Sequence, residues 1–199
     1  MTLSEPPHSL VLVGGGARSG KSAFALERAL ELGTRRSFFA TAEARDSEML
    51  RRIERHRVER GERFRTVEVP LDLPEALAAP GDCDVAIVDC LTLWVSNVMG
   101  ATESDDPRSD VVDRRIDDLV AALERRSCHV VLVSNEVGMG IVPMHPAARS
   151  FRDHIGRAHG LVADMADEVV FAVVGCLLQL KPTLQLVGRN AADSELGES

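Results

Sequence analysis

The sequence predicts an α/β fold, a single domain built on a mostly parallel sheet with helices on both faces. Three observations lead there. Short apolar runs at 10–13, 85–88, 130–133 and 169–174 alternate with segments of helical period, as parallel strands covered on both sides require. Gly15-Gly16-Ala17-Arg18-Ser19-Gly20-Lys21-Ser22 satisfies G-x-x-x-x-G-K-S, with an apolar strand before it and an amphipathic helix after it. The run 85–88 ends in an acid, Asp89, where phosphate-binding α/β proteins place a metal-holding carboxylate. The expected unit is a P-loop NTPase (RecA-like) domain.

Taken in order, residues 1–9 form an N-terminal tail with neither a basic start nor an apolar signal core. The run 10–13 ends in Gly14-Gly15-Gly16 and reads as a buried first strand. Between Lys21 and Leu32, Phe24, Ala25, Leu26 and Leu32 can face inward while Glu27, Arg28 and Glu31 face water, and Gly33 stops the helix. A second strand covers 37–40. Residues 47–60 form a highly charged helix whose clear apolar pair is Leu50 and Ile53, closed by Gly61. A short strand at 66–69 and a short helix at 73–79 precede the strand 85–88.

A helix covers 91–99, and 100–109, rich in acid, Ser and Pro, is a surface loop. Val112, Ile116, Leu119, Val120 and Leu123 make one apolar stripe of a helix running through Arg126. The strand 130–133 leads into a Gly-rich loop at 134–143. A long helix at 147–166, a strand at 169–174 and an edge strand at 183–186 complete the domain. Its bounds are 10–186, with a polar C-terminal tail at 187–199.

Composition narrows the function classes. A chain of 199 residues that is 45% hydrophobic and 27% charged has an ordinary globular balance and room for one sizeable core. No apolar run reaches membrane-spanning length, so a cytoplasmic protein is expected. The net charge of −8 argues against a general nucleic-acid binder. Cys83, Cys90, Cys128 and Cys176 show neither C-x-x-C nor zinc-finger spacing and read as buried small residues. Lysine occurs at only two positions, Lys21 and Lys181, in a chain that otherwise uses arginine, which points to a required ammonium in the phosphate motif.

In that motif the glycines permit a tight turn whose N–H groups converge on phosphate oxygens, and the helix N-terminus adds a positive dipole. Lys21 reaches the β- and γ-phosphates, and the Ser22 hydroxyl holds Mg2+ together with Asp89. Asp89 has a second reading, as a cap for the helix after it. His56 lies among five arginines, at 51, 52, 55, 57 and 60. Their field favours a neutral, nucleophilic imidazole able to attack phosphorus, and the same cations can neutralise a triphosphate. Composition alone favours the other reading, a solvated charged helix with an incidental His. The loop Ser134-Asn135-Glu136-Val137-Gly138-Met139-Gly140-Ile141-Val142-Pro143 follows a core strand at the carboxyl edge, where it serves either a ligand or a rigid turn.

These segments, with Ala40-Thr41-Ala42, Arg52-Ile53-x-x-His56-Arg57 and Phe151-Arg152-Asp153-x-Ile155-Gly156-Arg157 in the same order, resemble the bifunctional adenosylcobinamide kinase / adenosylcobinamide-phosphate guanylyltransferase family of cobalamin biosynthesis. The resemblance runs from about Leu10 to Lys181. It implies phosphorylation of adenosylcobinamide with ATP or GTP. Transfer of GMP from GTP through a guanylyl-histidine at His56 then gives adenosyl-GDP-cobinamide and pyrophosphate. It carries nucleotide contacts to Gly15 through Ser22, to Ala40, Thr41 and Ala42, to Arg57, Val58, Glu59 and Arg60, and to Glu68 and Asp89. It also implies a homotrimer. The segment 175–181 departs from the Gly-containing ending expected of the family. On the residues alone, a P-loop kinase of another small alcohol and a nucleotide-dependent switch module are the rivals.

Overall fold

The computed structural model describes residues 8–43, 47, 51, 54, 57–58, 61–102 and 110–189, the last five as backbone. Strand β1 (Leu10–Gly15) passes through the phosphate loop into α1 (Lys21–Leu32) and β2 (Arg36–Ala40). A 3-10 turn (Gly61–Arg63), β3 (Arg65–Glu68), α2 (Leu73–Ala78) and β4 (Val85–Asp89) follow. Helices α3 (Leu91–Ala101) and α4 (Asp110–Glu124) precede β5 (His129–Val133). Helix α5 (Pro146–Met165) and strands β6 (Glu168–Val173), β7 (Cys176–Lys181) and β8 (Gln185–Arg189) end the described chain.

The sheet order is β3-β2-β4-β5-β1-β6-β7-β8. The first six strands are parallel and the last two antiparallel, so the expected mostly parallel sheet is present. Because side chains alternate along a strand, each central strand feeds two cores. Leu10, Leu12, Ala86, Val88, Val130 and Leu132 pack with α2, α3, α4 and α5. Val11, Val13, Val85, Ile87, Val131 and Val133 face the other way, against Ala25 and Ala29 of α1. This two-sided burial is why the strands read as continuous apolar runs. Trp94 is fully buried, and its indole N–H donates to the Leu71 carbonyl at 2.8 Å, which removes the cost of burying that donor.

Register lines up the functional edge. Glu68, Ala40, Asp89, Val133 and Val13 are successive partners across five strands, so the tips of β3, β2 and β4 lie in one row beside β1. Strand β5 separates β1 from β4, which carries Asp89. In the segment 47–60, residues Ser47, Arg51, Glu54, Arg57 and Val58 are helical and exposed, as a charged helix face requires. Leu50, Ile53, His56, Glu59 and Arg60 lie outside the described residues. The described cysteines are free thiols; Cys83, Cys90 and Cys128 are buried and Cys176 half-buried. No helix among the described residues is long and apolar enough to cross a membrane.

Two corrections concern the C-terminal edge. The segment 176–181 is a full strand, β7, which the sequence did not reveal. It turns back from β6 through Val174 and Gly175, with φ of 43° and 77°, between the paired residues Val173 and Cys176. Such two-residue turns need positive φ at both positions and are usually written Asn-Gly or Asp-Gly. Val174 hides the signal, so 169–174 reads as one unbroken strand. The edge strand expected at 183–186 is β8, shifted to Gln185–Arg189, and it runs three residues beyond the boundary placed at 186. Its pairing with β7 draws polar residues into a strand that composition assigns to a tail.

Val174 is β-branched, 91% exposed and left-handed, a combination that carries steric cost. Val174→Asn gives this turn its preferred residue, and chemical denaturation should read a gain of about 1 kcal/mol.

Candidate nucleotide site

The phosphate loop leaves β1 at Gly15, whose φ is 144°. A Cβ there would collide with the carbonyl oxygen of Ala172 on β6, so glycine is obligatory for two reasons. Arg18 and Gly20 also take positive φ, 54° and 93°, curling the loop before α1 begins at Lys21. The helix has no side-chain cap and no acid in its first turn, an N-terminus suited to an anion. The Lys21 ammonium is buried and bends back over the loop, donating to the Gly16 carbonyl and, at 3.3 Å, to the Ser19 hydroxyl.

Ser22 and Asp89 meet. The Ser22 hydroxyl donates to Asp89 Oδ2 at 3.0 Å, joining the first turn of α1 to the tip of β4. A hydroxyl and a carboxylate are hard oxygen donors that fit Mg2+, an ion that keeps waters and takes phosphate oxygens for its other positions. Asp89 is bonded to Ser22, and the N-cap of α3, Cys90, makes no side-chain cap bond.

Ala40, Thr41 and Ala42 extend from β2 beside Asp89. Thr41 is fully buried; its hydroxyl donates to the Cys90 carbonyl at 2.8 Å and accepts from the Cys90 amide at 2.7 Å. Its amide donates to the Asp89 carbonyl at 3.2 Å, and its own carbonyl accepts from Asn97 at 2.8 Å. Thr41 therefore fixes the tip of β4, and outward contact from this tripeptide falls to the half-buried Ala40 and Ala42. Glu68 is exposed at the tip of β3, one strand beyond Ala40. Arg57 and Val58 are exposed. Expected contacts at His56, Glu59 and Arg60 fall outside the described residues.

The loop after β5 crosses over β1: the Ser134 amide donates to Val13 at 2.9 Å and the Glu136 amide to Gly15 at 3.0 Å. Two arginines of α5 hold its far side. Arg149 donates to the carbonyls of Pro143 at 3.0 Å and Met144 at 2.6 Å, and Arg152 to Ile141 at 2.9 Å. The loop is thus a pinned structure presenting Met139, Ile141 and Val142 outward. Asn135 is held through its amide, which donates to Thr92 Oγ1 at 2.8 Å.

A chain of polar groups near this loop has no local signature in the sequence. His159 Nε2 lies 2.7 Å from the fully buried Ser134 hydroxyl, and its Nδ1 lies 3.7 Å from Glu136. Burial pushes the imidazole below its ordinary pKa, and the Glu136 carboxylate pulls the other way. The ring is neutral at pH 7. Carried by α5, His159 meets Ser134 only through tertiary packing, and no local spacing announces the pair. Burial pushes the neighbouring Cys90 thiol up to about 11, so it stays protonated.

Fold and site together define a P-loop nucleotide-binding α/β protein. A family model described as cobinamide kinase / cobinamide phosphate guanyltransferase matches residues 11–180. The bifunctional adenosylcobalamin biosynthesis protein CobP of Pseudomonas aeruginosa is 41% identical over 173 residues, covering 85% of this chain and 96% of that protein. Its counterpart CobU of Escherichia coli is 39% identical over 181 residues, covering 86% and 99%. The chain belongs to the cobinamide kinase / cobinamide phosphate guanyltransferase family. Among solved structures, the RadB recombinase aligns over 89% of this chain and 80% of its own, with 13% identity and a TM-score of 0.44.

The His159 shift gives a signed expectation. A histidine with a depressed folded pKa binds fewer protons folded than unfolded, so its cost is absent above about pH 6.5 and grows as pH falls below it. Wild type should lose stability relative to His159→Gln between about pH 6.5 and 5, measured by thermal unfolding. Imidazole NMR should place the His159 midpoint below that of a free histidine.

Proposed function

We propose that this enzyme catalyses two transfers: phosphorylation of the aminopropanol hydroxyl of adenosylcobinamide, then guanylylation of the resulting phosphate. The observation that carries the first step is the convergence of Lys21, Ser22 and Asp89 on the mouth of an uncapped helix. In the kinase step the alcohol oxygen attacks the γ-phosphorus of ATP or GTP. The bond to the β-phosphate oxygen breaks, and the nucleoside diphosphate leaves. Loop amides and Lys21 stabilise the charge that spreads over the moving phosphoryl group. Ser22 and Asp89 would hold magnesium, which would supply further charge neutralisation when bound.

In the second step a nitrogen of His56 attacks the α-phosphorus of GTP and pyrophosphate leaves, storing GMP as a phosphoramidate. The phosphate of adenosylcobinamide phosphate then displaces the histidine, forming the new P–O bond as P–N breaks. One displacement is divided into two easier ones. The exposed arginines 51 and 57, on the same segment as His56, provide positive charge for the triphosphate. Family membership supports this reading and the trimeric assembly that goes with it.

Incubation with GTP labelled at the α-phosphate tests the covalent step. Acid-labile, alkali-stable label should appear on the chain, vanish in His56→Ala and persist in His145→Ala; no label at any magnesium concentration sinks the mechanism. Lys21→Ala should lower adenosylcobinamide phosphorylation by about 10²–10³-fold with the circular dichroism spectrum unchanged. Light scattering should return three times the chain mass.

A further inference from the structure

Ser22 meets Asp89 on the β4 side of β1, so the metal-bearing terminal phosphates of a triphosphate on the loop belong there. The nucleoside end must leave by another route. On the opposite flank, over β6, the structure holds a cavity of about 410 Å³. Its size lies within the roughly 300–1,000 Å³ of small-molecule sites. One wall is the phosphate loop itself, residues 16–19; the other is the end of β6 with Val173, Val174 and Gly175. Glu136 and Met139, the latter 80% exposed, complete the lining.

We propose that this cavity receives the purine nucleoside of the triphosphate used in the kinase step. The inference rests on the reading above that such a triphosphate occupies the phosphate loop. Three features favour a flat heterocycle as occupant. The phosphate loop itself lines the cavity through residues 16–19, and the Lys21 ammonium is bonded to two of them, Gly16 and Ser19, so a ligand held there by its phosphates lies beside it. Its surface combines apolar side chains, Met139 and Val174, with the guanidinium of Arg18, groups that stack on a π-face.

The turn at 174–175 lies between the paired Val173 and Cys176, so its peptide groups sit outside the ladder and can bond to a base edge. Val174 completes the case. A β-branched residue in the left-handed region, almost fully exposed, opposes turn stability, and such strain gathers where a ligand is bound.

Photolabelling of the full chain with 8-azido-ATP and magnesium, with modified residues located by tandem mass spectrometry, tests the assignment. Label should fall on Met139 or within 171–175, and excess inorganic tripolyphosphate, which competes for the loop but has no base, should suppress it. Label confined to other segments, or indifferent to tripolyphosphate, overturns the proposal. Val174→Glu should weaken binding of fluorescent mant-ATP by about tenfold or more, as loss of one base contact does, and a change under about twofold in a folded variant also overturns it. If that variant does not fold, the photolabelling of the wild type decides alone. Neither readout needs an alcohol acceptor. Label at 171–175 without phosphorylation of adenosylcobinamide refutes the function and keeps the cavity, whereas phosphorylation with label elsewhere does the reverse.

Discussion

Gly15 lies so close to the Ala172 carbonyl that no side chain fits between them, and much of the site follows from that approach. Strands β1 and β6 stay in register to this last pair, so the phosphate loop starts at the sheet edge without a slack residue. The same Gly15 offers its carbonyl to the amide of Glu136, which draws the loop after β5 across β1. Loop, β6 wall and acidic neighbour are therefore referenced to one backbone atom group. A larger residue would push β1 from β6 and disturb all three.

Behind the row of strand tips the structure uses polar groups as fasteners. The Thr41 hydroxyl bonds the Cys90 backbone next to Asp89, and the Asn97 amide donates to the Thr41 carbonyl, all buried. Buried polar contacts of this kind are costly when incomplete and specific when satisfied. Among the described residues several acids are paired with arginines away from the site: Asp84 with Arg35, Glu75 with Arg115, Asp117 with Arg157.

Central strands and the phosphate motif were legible because their signals are local: uninterrupted apolar runs, and glycines at fixed offsets before Lys21. The meeting of Ser22 with Asp89 was legible too, since strand tips share an edge in any parallel sheet. What stayed hidden depends on tertiary contact. Val174 occupies a turn position that composition assigns to asparagine, so β7 had no visible start. His159 finds Ser134 only when α5 packs over β5. The Thr41 hydroxyl bonds the Cys90 backbone from a strand away, a contact that the Ala-Thr-Ala run does not announce.

The strand order also sets when the site can exist. β1 is the first strand made, yet its two neighbours are β5 and β6, and the Leu10 amide is bonded to Asp167. Until the chain has been synthesised past Ala172, β1 has one edge unpaired and the phosphate loop has no second wall. Pairing of such distant segments carries a loop-closure cost that slows folding. A nascent chain emerging from the ribosome therefore holds its nucleotide motif near the start and cannot assemble it until most of the domain is out.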